Sequence, residues 1–333
     1  MTHFKFHTMK LVEMFIDAHN HIGIETANYL NSQYPYAQSL EDMKAKASGT
    51  RVSHWLVFPF VSYPTDSTLG QSTRPHTELK HPETPYGLAN ENLLSEISNF
   101  DQSEQKHFLP VAIIDPSRRV AEQIPHLRRL HASSRFYALK IQGTIIQSKV
   151  SDLLDTGSAF LDLAAEWNVP FLIHSSILPN DIWSQASDIL RVVESRPDVR
   201  FLLAHSCRFH KPSLDRIAEL PNAWFDCSAH RIHCDLAERN QATVAVANER
   251  FPADYSKPAE VLRELAKAYP DKLIWGTDSP YYSWIENSHG KKLRLVSSYA
   301  DEWACVEALP ESMIKAITQT NTLNWLGINA DRI

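Results

Sequence analysis

The chain has 333 residues, of which 43% are hydrophobic and 22% are charged, as in an ordinary globular protein. Its formal net charge of -6 gives no electrostatic basis for binding nucleic acid or an anionic membrane surface. No apolar run approaches the roughly 18 residues of a membrane-spanning helix. Because Met1–Lys10 also lacks an apolar signal core, we expect a cytoplasmic protein.

The predicted strands are short apolar runs that alternate with amphipathic segments. They are rich in Phe, Ile, Leu and Val, as expected of strands that are covered on both faces. These strands are Met14–Ala18, His54–Pro59, Phe108–Ile114, Phe136–Ile141, Val169–His174, Arg200–His205, Ala223–Asp226 and Lys272–Gly276. Apolar residues at three- and four-residue spacing predict helices at Asn90–Phe100, Ser117–His131, Asp155–Asn168, Asp181–Arg196, Pro212–Leu220 and Pro258–Tyr269, with a closing helical pair in Ala300–Leu326.

About eight repeats of strand and helix favour an α/β fold, a single-domain (β/α)8 TIM barrel with its core at about residues 14–326. A doubly wound open sheet is the competing fold, but it usually brings a glycine-rich turn after the first strand. This chain has only 9 glycines, and His19–Gly23 occupies that position. The barrel is therefore the predicted fold.

Three connections between predicted elements are unusually long, and they follow strands 2, 7 and 8. They are Phe60–Leu88, Ser228–Ser256 and Ser279–Ser298. In a barrel, such connections lie on the face where active sites are built, so we expect lids and substrate walls.

The four cysteines, at positions 207, 227, 234 and 305, include no Cys-x-x-Cys pair. This spacing argues against a disulfide framework and against a cysteine-rich zinc site. We expect reduced, mostly buried thiols.

The first predicted strand leads into the sequence Asp-x-His-x-His. Alternation along a strand puts His19 and His21 on the same side. Two imidazoles at this spacing can share one metal ion. The pattern is weak by itself, because a solvated turn would also produce it.

Polar residues also stand at the carboxyl ends of four later predicted strands. They are Lys140, His174, His205 and Asp278, at the ends of strands 4, 5, 6 and 8. The carboxyl ends of barrel strands meet on one face. Burying so many polar groups without a metal or substrate partner would cost several kcal/mol. The sequence therefore predicts a functional site on that face.

This set of residues resembles the motifs of the amidohydrolase superfamily, especially the branch of aminocarboxymuconate-semialdehyde decarboxylase-like proteins. The resemblance rests on Asp17-x-His19-x-His21, His174, His205 and Gly276-Thr277-Asp278, within a similarity from Phe15 to Leu326. It implies a (β/α)8 barrel with one divalent metal, commonly zinc. The implied ligands are His19, His21, His174 and Asp278. His205 is then a catalytic acid/base or electrophile, or a ligand of a second metal.

The chemistry of these residue types is consistent with that assignment. Three imidazoles and a carboxylate leave a position for water, whose pKa a bound metal lowers to about 7. Asp278 can accept the proton of that water, and His205 can stabilise an oxyanion or protonate a leaving group. Asp17 either orients a histidine or is a structural group.

Other cations near the strand ends are candidates for binding a substrate carboxylate. In binuclear relatives a carboxylated lysine bridges two metals, so Lys140 has two possible roles; we favour an unmodified cation aimed at the substrate. Arg208 and Arg231, with His230 and His233, follow strands 6 and 7 and should ring the pocket mouth. Surface salt bridges remain the alternative for the arginines.

The predicted function is a metal-dependent hydrolase that uses metal-activated water on a small organic, possibly carboxylate-bearing, substrate. The same motifs are compatible with a decarboxylase, a lactonase that needs little metal, or a non-catalytic metal-binding protein. Barrels of this branch often form dimers, and by that analogy the C-terminal helices could supply the interface of a homodimer.

Overall fold

The computed structural model describes residues 14–25, 34–61, 84–286 and 292–330, and a mostly parallel sheet of nine strands dominates it. The strands are β1 Ile16–Ile24, β2 Ala37–Gln38, β3 His54–Pro59, β4 Phe108–Ile113, β5 Ala138–Ile141, β6 Phe171–Ile173, β7 Phe201–Leu203, β8 Ala223–Asp226 and β9 Leu273–Ile274. The order β2-β1-β3-β4-β5-β6-β7-β8-β9 leaves eight parallel strands once the antiparallel edge strand β2 is set aside.

Backbone hydrogen bonds join the first and last parallel strands and close the barrel. Ala18 N donates to Trp275 O at 3.2 Å, and Asp278 N donates to His19 O at 2.9 Å. His21 N donates to the carbonyl oxygen of residue 279 at 2.8 Å. The predicted α/β TIM barrel is confirmed.

Helices follow most of the strands, as the apolar spacing predicts. They are α1 Leu40–Ala47, α2 Gly87–Ser98, α3 Gln102–Gln105, α4 Val120–Ser133, α5 Gly143–Ile146, α6 Ser158–Trp167, α7 Ala186–Ser195, α8 Lys211–Glu219, α9 His230–Glu238, α10 Pro258–Ala268, α11 Tyr299–Glu307, α12 Glu311–Lys315 and α13 Asn321–Leu326. A short 3₁₀ segment occurs at Val150–Leu154, a left-handed turn at His205–Phe209, and a π-helical turn, Ala316–Thr320, joins α12 to α13. No helix in these ranges combines the length and apolarity needed to cross a bilayer.

Alternate residues of each strand belong to different apolar layers. In β6 and β7, Leu172 and Leu202 belong to one buried cluster, while Phe171 and Phe201 belong to the cluster that includes residues of the surrounding helices. Both faces of these strands are therefore covered, which explains their nearly continuous apolar sequences. All four cysteines are free and buried, as predicted.

The first strand is longer than predicted. It runs to Ile24 instead of ending at Ala18, so His19 and His21 lie within β1. Its pairing with β3 shifts register between Asp17 and Asn20. The strand continues because it bonds on one side to β3 and on the other to the segment after β9.

The three long connections differ in how much of each is described. Most of Phe60–Leu88, the expected lid after the second barrel strand, lies outside the described residues. Ser228–Ser256 contains α9. Ser279–Ser298 contains a hairpin of β10 (Trp284–Glu286) and β11 (Leu293–Leu295), with 287–291 outside the described ranges.

Asp17 is a structural group of the barrel. Its Oδ2 accepts hydrogen bonds from Thr277 Oγ1 at 2.6 Å and from the Tyr299 hydroxyl at 2.8 Å. The same hydroxyl accepts a bond from Trp55 Nε1 at 3.0 Å. Asp17 therefore connects β1, the segment after β9 and α11. Of its two predicted roles, orienting a histidine or stabilising the fold, these contacts agree with the second.

Replacing Tyr299 by Phe should lower the free energy of unfolding by about 1–3 kcal/mol, because Asp17 and Trp55 would each lose a buried partner. Metal content should not change. Urea denaturation and metal analysis of the purified variant measure both. Tyr269→Phe is the matched control, since it removes a bond of 2.8 Å to the more exposed Asp215. An equal loss of stability in both variants would contradict the structural role of Asp17.

Candidate active site

Three of the four predicted metal ligands meet where β1 lies beside the segment after β9. His19, His21 and Asp278 are buried, and each offers a ligand atom within 4.8 Å of the others. Asp278 Oδ1 lies 3.2 Å from His19 Nε2 and 3.1 Å from His21 Nε2. Two imidazoles and a carboxylate at this spacing form a donor set that suits zinc and similar divalent ions.

The protonation of this group also suits a metal. Burial, followed by the charge of Lys140, lowers the pKa of both His19 and His21, which favours the neutral imidazole that binds metals. Burial raises the pKa of Asp278 to about 6, although His19 and Lys140 act in the opposite direction. His19 Nδ1 lies 2.9 Å from Asp226 Oδ2, so a neutral His19 carries its proton on Nδ1 and presents the Nε2 lone pair, which can bind an ion.

Asp226 was missed among the candidate site residues. It is fully buried at the end of β8, and its carboxylate contacts His19 and the His205 backbone. Burial raises the pKa of Asp226, but the neighbouring His19 and several hydrogen bonds outweigh this effect and hold it below the usual value. The sequence did contain a signal, because Asp226 ends the predicted strand Ala223–Asp226 just as Asp278 follows another.

His174, the fourth predicted ligand, does not belong to the three-residue group in the described structure. Its Nδ1 lies 2.9 Å from His205 Nε2 and 3.3 Å from Gln142 Nε2. Its Nε2 lies 3.3 Å from Arg208 Nη2. His174 therefore contacts the predicted acid/base, and its role as a ligand stays a prediction.

His205 and Arg208 lie in a left-handed turn. All five residues of His205–Phe209 have φ between 46° and 62°, a conformation that costs an L-residue about 1–2 kcal/mol. Backbone groups of the turn are paired: His205 N donates to Asp226 Oδ1 at 2.9 Å, and Arg208 O accepts from Ala245 N at 3.0 Å. In such a turn, side chains three positions apart lie on one side, so both can reach the same cavity.

A cavity of about 320 Å³ lies above these residues. Its polar lining includes His21, His174, His205, Arg208, His233 and Asp278. Its apolar lining is Ile145, Leu178, Ala229, Ile232, Leu236, Tyr281, Trp284, Leu293 and Leu295. Tyr281 and Trp284 are stacked with their ring centroids 5.7 Å apart. The long connection after the last strand therefore forms a wall, and the volume suits a small organic molecule.

The three predicted substrate cations lie in different surroundings. Arg208 lines the cavity, where burial lowers its pKa to about 10. Lys140 is not among the described lining residues, because its side chain points from β5 into the interior of the barrel. Its Nζ lies 3.2 Å from His19 Nε2, and burial lowers the pKa of Lys140 to about 7. Arg231 is absent from the described lining, because its guanidinium pairs with Asp301 of α11 at 2.8 Å. Of these three cations, Arg208 is the one among the described residues that line the cavity.

Comparisons with known proteins point to one family and one fold. A family model described as "Amidohydrolase" matches residues 118–328. No curated protein matches the chain. A zinc-bound amidohydrolase from Burkholderia multivorans is 12% identical, with a TM-score of 0.59 and coverage of 95% of this chain and 100% of that chain.

Two decarboxylases of known structure are similar to the same extent. A manganese-bound dihydroxybenzoic acid decarboxylase from a Polaromonas species, with the inhibitor 2-nitroresorcinol, is 14% identical, with a TM-score of 0.59 and coverage of 96% and 99% of the two chains. A 2,6-dihydroxybenzoate decarboxylase from Rhizobium is 13% identical, with a TM-score of 0.58 and coverage of 95% and 99%. At these identities the similarity shows the fold.

Proposed function

Because this chain belongs to the amidohydrolase family, we propose that it is a metal-dependent hydrolase of a small organic anion. The observation that carries this proposal is the buried group of His19, His21 and Asp278, of which His21 and Asp278 line a cavity together with His205 and Arg208. A divalent ion held by that group, zinc or manganese as in the similar structures, would supply a Lewis acid that activates water and polarises the substrate.

His205 and Asp278 are the residues that exchange protons in this proposal. Both line the cavity, so each can reach a bound substrate or water. Asp278 accepts a proton from the attacking water, and His205 gives a proton to the leaving group. The apolar wall excludes bulk water, which strengthens the hydrogen bonds made during the reaction.

The surroundings of the Arg208 side chain are evidence for an anionic substrate. Its guanidinium contacts the rings of His174 and His233 and the Ser175 carbonyl oxygen. In the described part of the chain it forms no ion pair with a carboxylate. A cation in this position is stabilised when a carboxylate of the substrate binds it, since two parallel hydrogen bonds can form.

Decarboxylation is the second candidate function, and the two decarboxylases of similar structure favour it. The site and the metal are the same, but the carboxylate then leaves as carbon dioxide. The two functions differ in their products. The zinc- or manganese-loaded chain is therefore tested on a panel of lactones, amides and aromatic acids, with separate detection of hydrolysis products and carbon dioxide. If neither hydrolysis products nor carbon dioxide are detected for any substrate of the panel, a non-catalytic metal-binding protein is favoured.

Arg208→Gln should raise KM for carboxylate substrates roughly 10- to 150-fold, because a hydrogen bond to a charged group contributes about 1.5–3 kcal/mol. The kcat value should change less, and turnover of a neutral ester analogue should be nearly unaffected. Steady-state kinetics on the acid and its ester measure this. Arg231→Gln is the matched control, because Arg231 pairs with Asp301 away from the cavity lining. An unchanged KM in Arg208→Gln would contradict an anionic substrate.

A further inference from the structure

One buried carboxylate joins the predicted metal ligand His19 to the predicted acid/base His205. We propose that Asp226, acting through the Ser228 hydroxyl, is a positioning group that holds the His205 imidazole with its proton on Nδ1 and with an unprotonated Nε2. The catalytic consequence rests on the proposed function. The tautomer is a property of the chain itself.

The atoms around His205 Nδ1 all act as acceptors, so Nδ1 itself must be the donor. Nδ1 lies 2.9 Å from Ser228 Oγ, 3.3 Å from Ser228 O and 3.8 Å from Asp278 Oδ2. A backbone carbonyl and a carboxylate only accept. Ser228 Oγ donates its single proton to Asp226 Oδ1 at 2.5 Å, so toward His205 it accepts as well. Nδ1 therefore carries the proton.

The other edge of the imidazole is compatible with this tautomer. A neutral His205 with its proton on Nδ1 presents a lone pair at Nε2, which lies 2.9 Å from His174 Nδ1 and accepts from it. His174 Nε2, 3.3 Å from Arg208 Nη2, then accepts from the guanidinium. Because the Gln142 amide nitrogen also faces His174 Nδ1 at 3.3 Å, the direction of the hydrogen bonds is set at the Asp226 end and not at His174.

The hydrogen bonds of His205 thus run toward Asp226, from His174 through His205 and Ser228. An ionised aspartate cannot donate, so the Ser228 hydroxyl proton stays in the bond to Asp226. The opposite tautomer of His205 would place a bare Nδ1 against the Ser228 carbonyl oxygen and the Ser228 Oγ lone pair. This is why one tautomer is favoured.

Asp226 is itself held in place. Its Oδ1 accepts from the backbone N–H groups of His205 and Ser228, each at 2.9 Å, and its Oδ2 faces His19 Nδ1 at 2.9 Å. Asp226, Ser228 and His19 are 0% exposed, and His205 is 4% exposed. The proton that Asp278 takes from the attacking water would pass to His205 Nε2, where the negative charge of Asp226, acting through Ser228, stabilises the imidazolium, and His205 would then give that proton to the leaving group.

The test is nitrogen NMR of the zinc-loaded full chain with ¹⁵N-labelled histidine, with the His205 signals assigned by comparison with His205→Asn. The wild type should show a protonated Nδ1 and a bare Nε2 at His205. Ser228→Ala should shift these signals toward a mixture of tautomers and retain the metal. On the best substrate of the panel, kcat should fall about 10- to 100-fold with little change in KM. Ser228→Thr, which keeps the hydroxyl, should restore the wild-type signals.

Ser213→Ala is the matched control, because it removes a serine from a similar pair in which His210 Nδ1 lies 2.8 Å from Ser213 Oγ, outside the cavity lining. It should leave the His205 signals and kcat unchanged. A proton on Nε2 in the wild type, an unchanged tautomer in Ser228→Ala, or loss of metal from Ser228→Ala would each overturn the proposal. If no substrate is turned over, the proposed function fails, while the tautomer measurement still decides this inference.

Discussion

Replacing His19 by Ala, or Asp278 by Asn, should remove the bound metal and lower turnover by several orders of magnitude. The side chains lie within 3.2 Å of each other, and with His21 they form the metal-ligating group of the described residues. Loss of one of so few ligands weakens metal binding, and without the metal there is no Lewis acid to activate water. Metal analysis and steady-state kinetics of both variants measure the two effects.

The same variants should stay folded, because the rest of the barrel is unchanged. His19→Ala leaves Asp226 Oδ2 without its imidazole partner, so we expect a stability loss of about 1–3 kcal/mol, measurable by urea denaturation. His131→Ala is a suitable control, since His131 stacks on Trp167 with ring centroids 3.9 Å apart and lies outside the cavity lining. Full metal occupancy with unchanged turnover in both site variants would exclude the ligand assignment.

His205→Asn should retain about one metal per chain while kcat falls roughly 10²- to 10⁴-fold, the usual range for loss of a general acid or base. This is the expected result for a mononuclear site, where His205 exchanges protons and binds no metal. In a binuclear site Lys140 would be carboxylated and His205 would bind the second ion. The same substitution would then remove metal together with activity.

Metal stoichiometry of the wild type and His205→Asn, measured side by side, distinguishes the two arrangements. His230→Asn is the matched control: His230 Nε2 lies 2.8 Å from Pro258 O, and the side chain is not among the described lining residues. It should keep both metal and kcat near wild-type values. Two metals in the wild type and one in His205→Asn would overturn the mononuclear assignment and favour a carboxylated Lys140.

The sequence by itself determined the fold and much of the floor of the site. Buried parallel strands need apolar residues on both faces, so runs such as His54–Pro59 and Ala223–Asp226 could be predicted with the bounds that the structure has. A polar residue at the end of such a run must project from the carboxyl face of a barrel. That rule placed His21 and Asp278 on the same face, although 257 positions separate them.

The tertiary structure alone decided which of these side chains contact each other and which residues form the wall of the cavity. A local pattern specifies the face of a strand but not its lateral partner, so the contact of His19 with Asp226, 207 positions away, depends on the folded barrel. The left-handed turn of His205–Phe209 contains no glycine to indicate it, and surrounding contacts impose the positive φ values. Lys140 and Arg231 were likewise predicted as substrate cations from their chain positions, but one side chain extends beneath His19 and the other toward Asp301.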